Sequence, residues 1–140
     1  MSLNLTPLSK AIESAEQLFL LVSDNDKMSR LDFVVQNGLK SGLVRNFEFT
    51  YELCWKAMRR WLEINIGRDY IDGITRKELF RMSAENHLIN NPVKWFEYNE
   101  ARNLTSHTYN EAQSDKALVI TGEFIAEARN LLDNLRNKND

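Results

Sequence analysis

The sequence predicts an all-α protein, an antiparallel four-helix bundle with one additional short helix. Three observations carry this. Apolar residues recur every three or four positions over long stretches, and no long alternating segment marks a strand. Only 5 Gly and 2 Pro occur in 140 residues, too few for a turn-rich all-β fold. The turn and cap residues that do occur fall where helices would start and stop.

Thr6-Pro7 offers an N-cap followed by Pro at the first helical position, with a helix over Leu8 to Val22. Asp24-Asn25-Asp26 ends it. The next segment starts near Ser29, and Gly38 and Gly42 interrupt it, weakening the helix or allowing a close crossing. From Val44 the pattern is strong. Val44, Phe47, Tyr51, Cys54, Met58 and Trp61 form a stripe that Trp55 and Leu62 widen. The opposite side carries Arg45, Glu48, Glu52, Lys56, Arg59 and Glu63 and reads as solvated, with Glu52 and Lys56 at a favourable i,i+4 spacing. Gly67 is a stop. Thr75-Arg76-Lys77-Glu78 is a capping box opening a third helix toward His87. Asn91-Pro92 opens a fourth, with Val93, Trp95, Phe96, Tyr98, Ala101 and Leu104 as its apolar positions. The last helix spans about Ser114 to Asn137, with Ile120, Phe124, Ala128, Leu131 and Leu135 facing inward. The polar end from Arg136 to Asp140 frays.

A chain of this length forms one domain, residues 1–140, around a single core. No apolar run approaches the roughly 20 residues of a membrane span, and the N-terminus lacks the regions of a signal peptide, so cytoplasmic residence is expected. Cys54 is the only cysteine and cannot form an internal disulfide. Its apolar helical neighbours mark it as a core residue. The net charge of -2 argues against a protein that coats nucleic acid through many phosphate contacts. Any nucleic-acid site would be a local basic pocket, or would act on a small or pre-positioned substrate.

Chemistry concentrates in Arg102-Asn103-Leu104-Thr105-Ser106-His107-Thr108-Tyr109. Arg is always charged and can hold a phosphate through two parallel hydrogen bonds. His exchanges a proton near neutral pH. Together they suffice to cleave RNA without a metal. His107 would be the general acid or base, and Arg102 would stabilise charge on the transition state. Asn103 could orient the imidazole or contact phosphate, and Tyr109 could stack on a base.

Spacing sets a constraint. In a continuous helix, positions 102 and 107 lie about 140° apart, so they cannot hold one phosphate between them. Either the helix ends between them, near Thr105-Ser106, or a second copy of the chain completes the site. From spacing alone, the commoner reading of such a cluster is a helix C-terminal cap.

Other candidates are weaker. His87 has no Cys, His or paired carboxylate at ligand spacing, so it reads as the polar end of a helix rather than a metal ligand. Lys56, Arg59, Arg60 and Arg68 read as a solvated face that could also guide a nucleic acid. Trp95-Phe96 reads as core, with a dimer interface as runner-up.

The Arg-polar-x3-His-x-Tyr pattern resembles the signature of HEPN domains, nucleotide-binding helical bundles. A second block, Arg45-Asn46-Phe47-Glu48-Phe49-Thr50-Tyr51-Glu52-Leu53-Cys54-Trp55-Lys56, resembles that of the nucleotidyltransferase substrate-binding subfamily, also called HepT-like toxins. The two blocks stand in the expected order, and the resemblance spans nearly the whole chain. Cys54 occupies a variable position of the block, and Asn46 replaces an expected Gln or similar residue.

The resemblance implies a HEPN-like bundle that forms a homodimer with two Arg/His motifs facing one cleft. It implies a metal-independent ribonuclease without a cofactor, with Arg102 and His107 as catalytic residues. It implies pairing with a minimal nucleotidyltransferase that acts as antitoxin and adenylylates Tyr109. The alternative it leaves is a non-catalytic substrate-binding subunit of that transferase. A purely structural helical dimer would leave the motif without a role.

Overall fold

The structure is a computed structural model. It describes residues 3–107 and 111–139, and the side chains within them except those of 105–107, 111–115 and 117. The order is α1 (Thr6–Ser23), α2 (Asn25–Ser29), α3 (Phe33–Asn65), α4 (Arg68–Ile71), α5 (Arg76–Glu85), α6 (Pro92–His107) and α7 (Glu111–Lys138). Four long helices, α1, α3, α6 and α7, make the bundle. α5 is the additional shorter helix, and α2 and α4 are short turns of helix between the others.

Pairings along the helices fix the topology. Asn139 and Leu3 exchange two hydrogen bonds at 2.8 and 3.0 Å. Further along the same pair of helices, Arg136 donates to Ser9 and Arg129 pairs with Glu16. Rising numbers on α1 thus meet falling numbers on α7, so the two are antiparallel. Lys94 and Tyr98 of α6 meet Glu127 and Glu123 of α7 in the same sense. The chain therefore runs up, down, up, down through α1, α3, α6 and α7.

The core is built on aromatic rings. Phe124 of α7 lies at its centre, edge-on to Phe47 at 5.0 Å, Tyr98 at 5.3 Å and Trp95 at 5.9 Å between centroids. Such perpendicular contacts suit the ring quadrupoles and add to the burial of large apolar area. Trp95 is fully buried, so it belongs to the core, and Phe96 packs against it from a partly buried position. Cys54 is buried as well, which pushes its thiol pKa up and keeps it protonated.

Thr75, Asn91 and Asp24 act as caps, whereas Thr6 lies inside α1, with Leu5 at the N-cap position and no side-chain cap bond. Thr75 Oγ1 accepts from the Glu78 amide at 3.1 Å and opens α5. Asn91 Oδ1 accepts from the Val93 amide at 3.0 Å, ahead of α6. Asp24 ends α1 and caps α2 through the Lys27 amide. α3 ends at Asn65, and Gly67 follows with φ 131°, a conformation L side chains rarely adopt.

His87 closes α5 in the left-handed region at φ 62°. Its amide bonds the Ala84 carbonyl at 3.1 Å, and the Leu88 amide bonds the Ser83 carbonyl at 2.9 Å. This is a Schellman cap, sealed by the buried Leu88.

Other expectations change. Arg136 to Asn139 do not fray, because α7 runs to Lys138, Arg136 bonds Ser9 and Asn139 bonds Leu3. The segment expected from Ser29 begins at Phe33, because Asp24 nucleates α2 first. Gly38 and Gly42 do not interrupt α3, which is continuous over 33 residues. A Cβ at Gly42 would sit 3.5 Å from Leu18, an ordinary contact, so this crossing does not require glycine. The close crossing lies elsewhere, at Gly122, where a Cβ would come within 2.7 Å of the Phe19 ring.

Candidate functional site

α6 presents Arg102 to α3. The guanidinium lies between two carboxylates one helical turn apart, with Nη1 3.7 Å from Glu48 Oε2 and Nε 3.5 Å from Glu52 Oε1. The i,i+4 spacing places both carboxylates on one face of α3. Side-chain exposures of 25% for Arg102, 16% for Glu48 and 33% for Glu52 put the group at the rim, neither dry nor fully hydrated. Screening is therefore partial, and these pairs count for more than exposed ones.

The contacts continue beyond Arg102. Trp55 Nε1 donates to Glu52 Oε2 at 2.9 Å, so Glu52 is held from one side while it faces Arg102 on the other. The Arg76 guanidinium stacks 3.6 Å above the Trp55 ring. Arg76 Nη1 also donates to the Tyr51 hydroxyl at 3.2 Å, which donates to Asn99 Oδ1 at 2.6 Å. Asn99 lies three residues before Arg102 on α6. The network thus closes a ring through α3, α5 and α6.

Tyr51 feels this setting directly. Burial raises its pKa to about 12, although the nearby Arg76 opposes the rise. Its hydroxyl stays protonated at neutral pH and serves as a donor to Asn99.

The second sequence block thereby acquires a physical meaning. Phe47 and Tyr51 supply core rings, Glu48 and Glu52 hold Arg102, and Trp55 holds Glu52. Sequence reasoning placed Glu48 and Glu52 on a solvated face and missed this. Their i,i+4 spacing inside the block was the available signal.

The motif itself divides. α6 continues through His107 in its backbone, so the helix does not end near Thr105-Ser106. Arg102 lies inside the helix and pairs across to α3, so it is not a C-terminal cap. With no break between them, positions 102 and 107 stay about 140° apart around one axis. Asn103 is exposed on α6. The His107 side chain and the whole of Tyr109 lie outside the described residues. The structure therefore places Arg102 and Asn103, while the position of the His107 imidazole relative to them lies outside the described residues.

Three of the basic residues of α3 and α4 gather around Glu63. Arg59, Arg60 and Arg68 lie 3.9, 3.9 and 3.7 Å from Glu63 carboxylate oxygens, and Arg59 also meets Asp72 at 3.4 Å. They form a mutually paired surface cluster rather than an open basic stripe. Among the described residues, no group of three or more His, Cys, Asp or Glu is placed to hold a metal ion. Nor is any described helix long and apolar enough to cross a membrane.

Comparison with known proteins places this arrangement in a family. Residues 3–137 match the model of the nucleotidyltransferase substrate binding protein like family. The chain is 35% identical over 138 residues to a probable ribonuclease HepT of Haemophilus influenzae, covering 98% of this chain and 94% of that one. A solved structure from the same organism is described as the substrate binding domain of a nucleotidyltransferase. It superposes with a TM-score of 0.89 at 34% identity, over 95% of this chain and 99% of that one. A Thermus thermophilus protein shares the fold, with a TM-score of 0.72 at 23% identity over 92% of this chain and 98% of its own. The chain belongs to the nucleotidyltransferase substrate binding protein like family and is HepT-like.

Proposed function

We propose that the protein is a metal-independent endoribonuclease, the toxin of a toxin–antitoxin pair, acting in the cytoplasm as a homodimer. Arg102 holds the scissile phosphate and stabilises its developing charge, and His107 moves the proton. Asn103 contacts the phosphate or orients the imidazole. The observation that carries this reading is the continuous α6. On that helix the two positions stand about 140° apart, which favours a site that joins the Arg102 of one protomer to the His107 of the other.

A second feature supports the dimer. Leu20, Phe33, Val34, Val35, Leu104 and Val119 are all exposed. They lie at the ends of α1 and α6 and the starts of α3 and α7, which the up-down topology brings to the end of the bundle that carries the motif. Exposed apolar surface of this kind marks an interface. A two-fold axis through it would pair the two motifs.

The test is RNA cleavage in excess EDTA, with His107→Ala as the control variant. Cleavage by the parent and its loss in the variant, with the fold retained, is the expected result. The partner in this account is a minimal nucleotidyltransferase, which silences the nuclease by adenylylating Tyr109. Intact-mass measurement after incubation with that partner and ATP should show one adenylyl group per chain, absent from Tyr109→Phe. A gain that persists in Tyr109→Phe rules out the regulation proposed.

A second reading is favoured by the family description and by that of the Haemophilus structure. In it the protein is a non-catalytic subunit that binds substrate for the transferase, with Arg102 and Tyr109 as contacts only. It predicts no RNA cleavage at any concentration, together with partner-dependent nucleotide binding.

A further inference from the structure

We propose that Glu48 and Glu52 form an acidic latch on Arg102, which an incoming phosphate must displace, and that Trp55 sets the latch by pinning Glu52. The proposal rests on the reading that Arg102 is the phosphate-binding group.

Three observations carry it. Arg102 does not wait as an open cation, since two carboxylates lie 3.7 and 3.5 Å from its nitrogens. Two carboxylates face the one Arg102 guanidinium, so a phosphate must compete with both for it, although Arg76 nearby balances the local charge. Glu52 is also not free to swing away. The indole N–H of Trp55 holds its second oxygen at 2.9 Å, and the Arg76 guanidinium stacked at 3.6 Å holds the indole.

The consequence is a trade between affinity and geometry. A carboxylate and a phosphate compete for the same fork of guanidinium donors. While the carboxylates hold Arg102, its anion affinity is low and its orientation is fixed. A substrate with enough contacts elsewhere can displace them, whereas a lone phosphate or short fragment cannot. The latch therefore discriminates by substrate size at a site that otherwise recognises only phosphate. Glu48, Glu52 and Trp55 are positioning residues, since none of them needs to touch the reacting atoms.

The experiment compares the parent with Glu48→Gln, Glu52→Gln, the double Gln variant and Trp55→Phe. Each is first checked for an unchanged helical spectrum and melting behaviour. Binding is read with a non-cleavable 2′-deoxy oligonucleotide and with inorganic phosphate, and turnover is read with RNA in EDTA. The isosteric Gln variants are expected to bind both probes about five- to tenfold tighter, as loss of partly screened charge allows. The gain should vanish when Arg102→Ala is added. Their KM for RNA should fall, and kcat should fall with it because the guanidinium is no longer oriented. Trp55→Phe keeps both charges but frees Glu52 to swing away, so KM should fall by less than in Glu52→Gln while kcat drops.

Unchanged or weaker probe binding in the double Gln variant overturns the latch. So does a gain that survives Arg102→Ala, or a KM change in Trp55→Phe as large as that in Glu52→Gln. If the parent cleaves no RNA, the nuclease reading fails on its own, and the probe-binding arm still decides the latch.

Discussion

Arg102 shows how far a single residue can be read from sequence. Its type and the nearby His suggest phosphate chemistry, and that much is legible in the chain. Its partners are not, because Glu48 and Glu52 lie some fifty positions away and helical periodicity assigns them to solvent. Only the antiparallel packing of α3 against α6 brings them to it. Tyr51 is a similar case. Its place in the apolar stripe announces burial, whereas its hydroxyl contacts with Asn99 and Arg76 depend on the fold. A pH effect follows. An unfolded tyrosine titrates near 10, whereas Tyr51 in the folded chain titrates at about 12. Between those values the folded state keeps a proton that the unfolded state has lost, so stability falls as pH rises through this window. Burial raises Tyr98 and Cys54 too, and both act in the same direction. Denaturant midpoints measured at pH 9 and pH 11.5 should therefore fall, with a smaller drop in Tyr51→Phe. A midpoint that rises over that interval contradicts the assignment.

At the scale of elements, the sequence was most legible where a cap had local chemistry. Thr75 and Asn91-Pro92 mark the starts of α5 and α6, and Phe124, Ala128, Leu131 and Leu135 mark the inward face of α7. The short helices α2 and α4 were illegible because helices of 5 and 4 residues are too short to show a period. Of the two solutions that the spacing left open for the motif, the helix break near Thr105-Ser106 is not the one adopted, since α6 runs through His107. Thr105 and Ser106 are modest helix formers, but propensity is a weak prior that tertiary context overrides. The cap at His87 offers a clean test. A non-glycine residue at φ 62° carries local strain that glycine would not. His87→Gly should raise unfolding stability by about 0.5–1 kcal/mol in equilibrium denaturation, net of the added freedom in the unfolded chain. A loss of stability would mean that the imidazole makes a contact outweighing the strain.

At the scale of the molecule, the bundle places Arg102 and six exposed apolar residues, Leu20, Phe33, Val34, Val35, Leu104 and Val119, toward the same end, while Phe49, Ile66, Tyr70 and Val93 are exposed elsewhere. Neither fact is visible along the sequence, because the residues come from four helices. If a second copy covers this end, Phe33→Glu combined with Val119→Glu should shift the protein from twice the chain mass to a single chain in sedimentation. Both residues are exposed, so the fold should survive. RNA cleavage should then fall in step with dimer content. A double variant that is still dimeric and active would place the interface elsewhere. The central claim, that Arg102 and His107 cleave RNA without a metal, has a more direct test. Purified parent and His107→Ala are incubated with RNA in excess EDTA, with matched helical spectra for the two proteins. The account predicts cleavage by the parent and none by the variant. Equal cleavage by both, or none by a dimeric parent at any concentration, would contradict it.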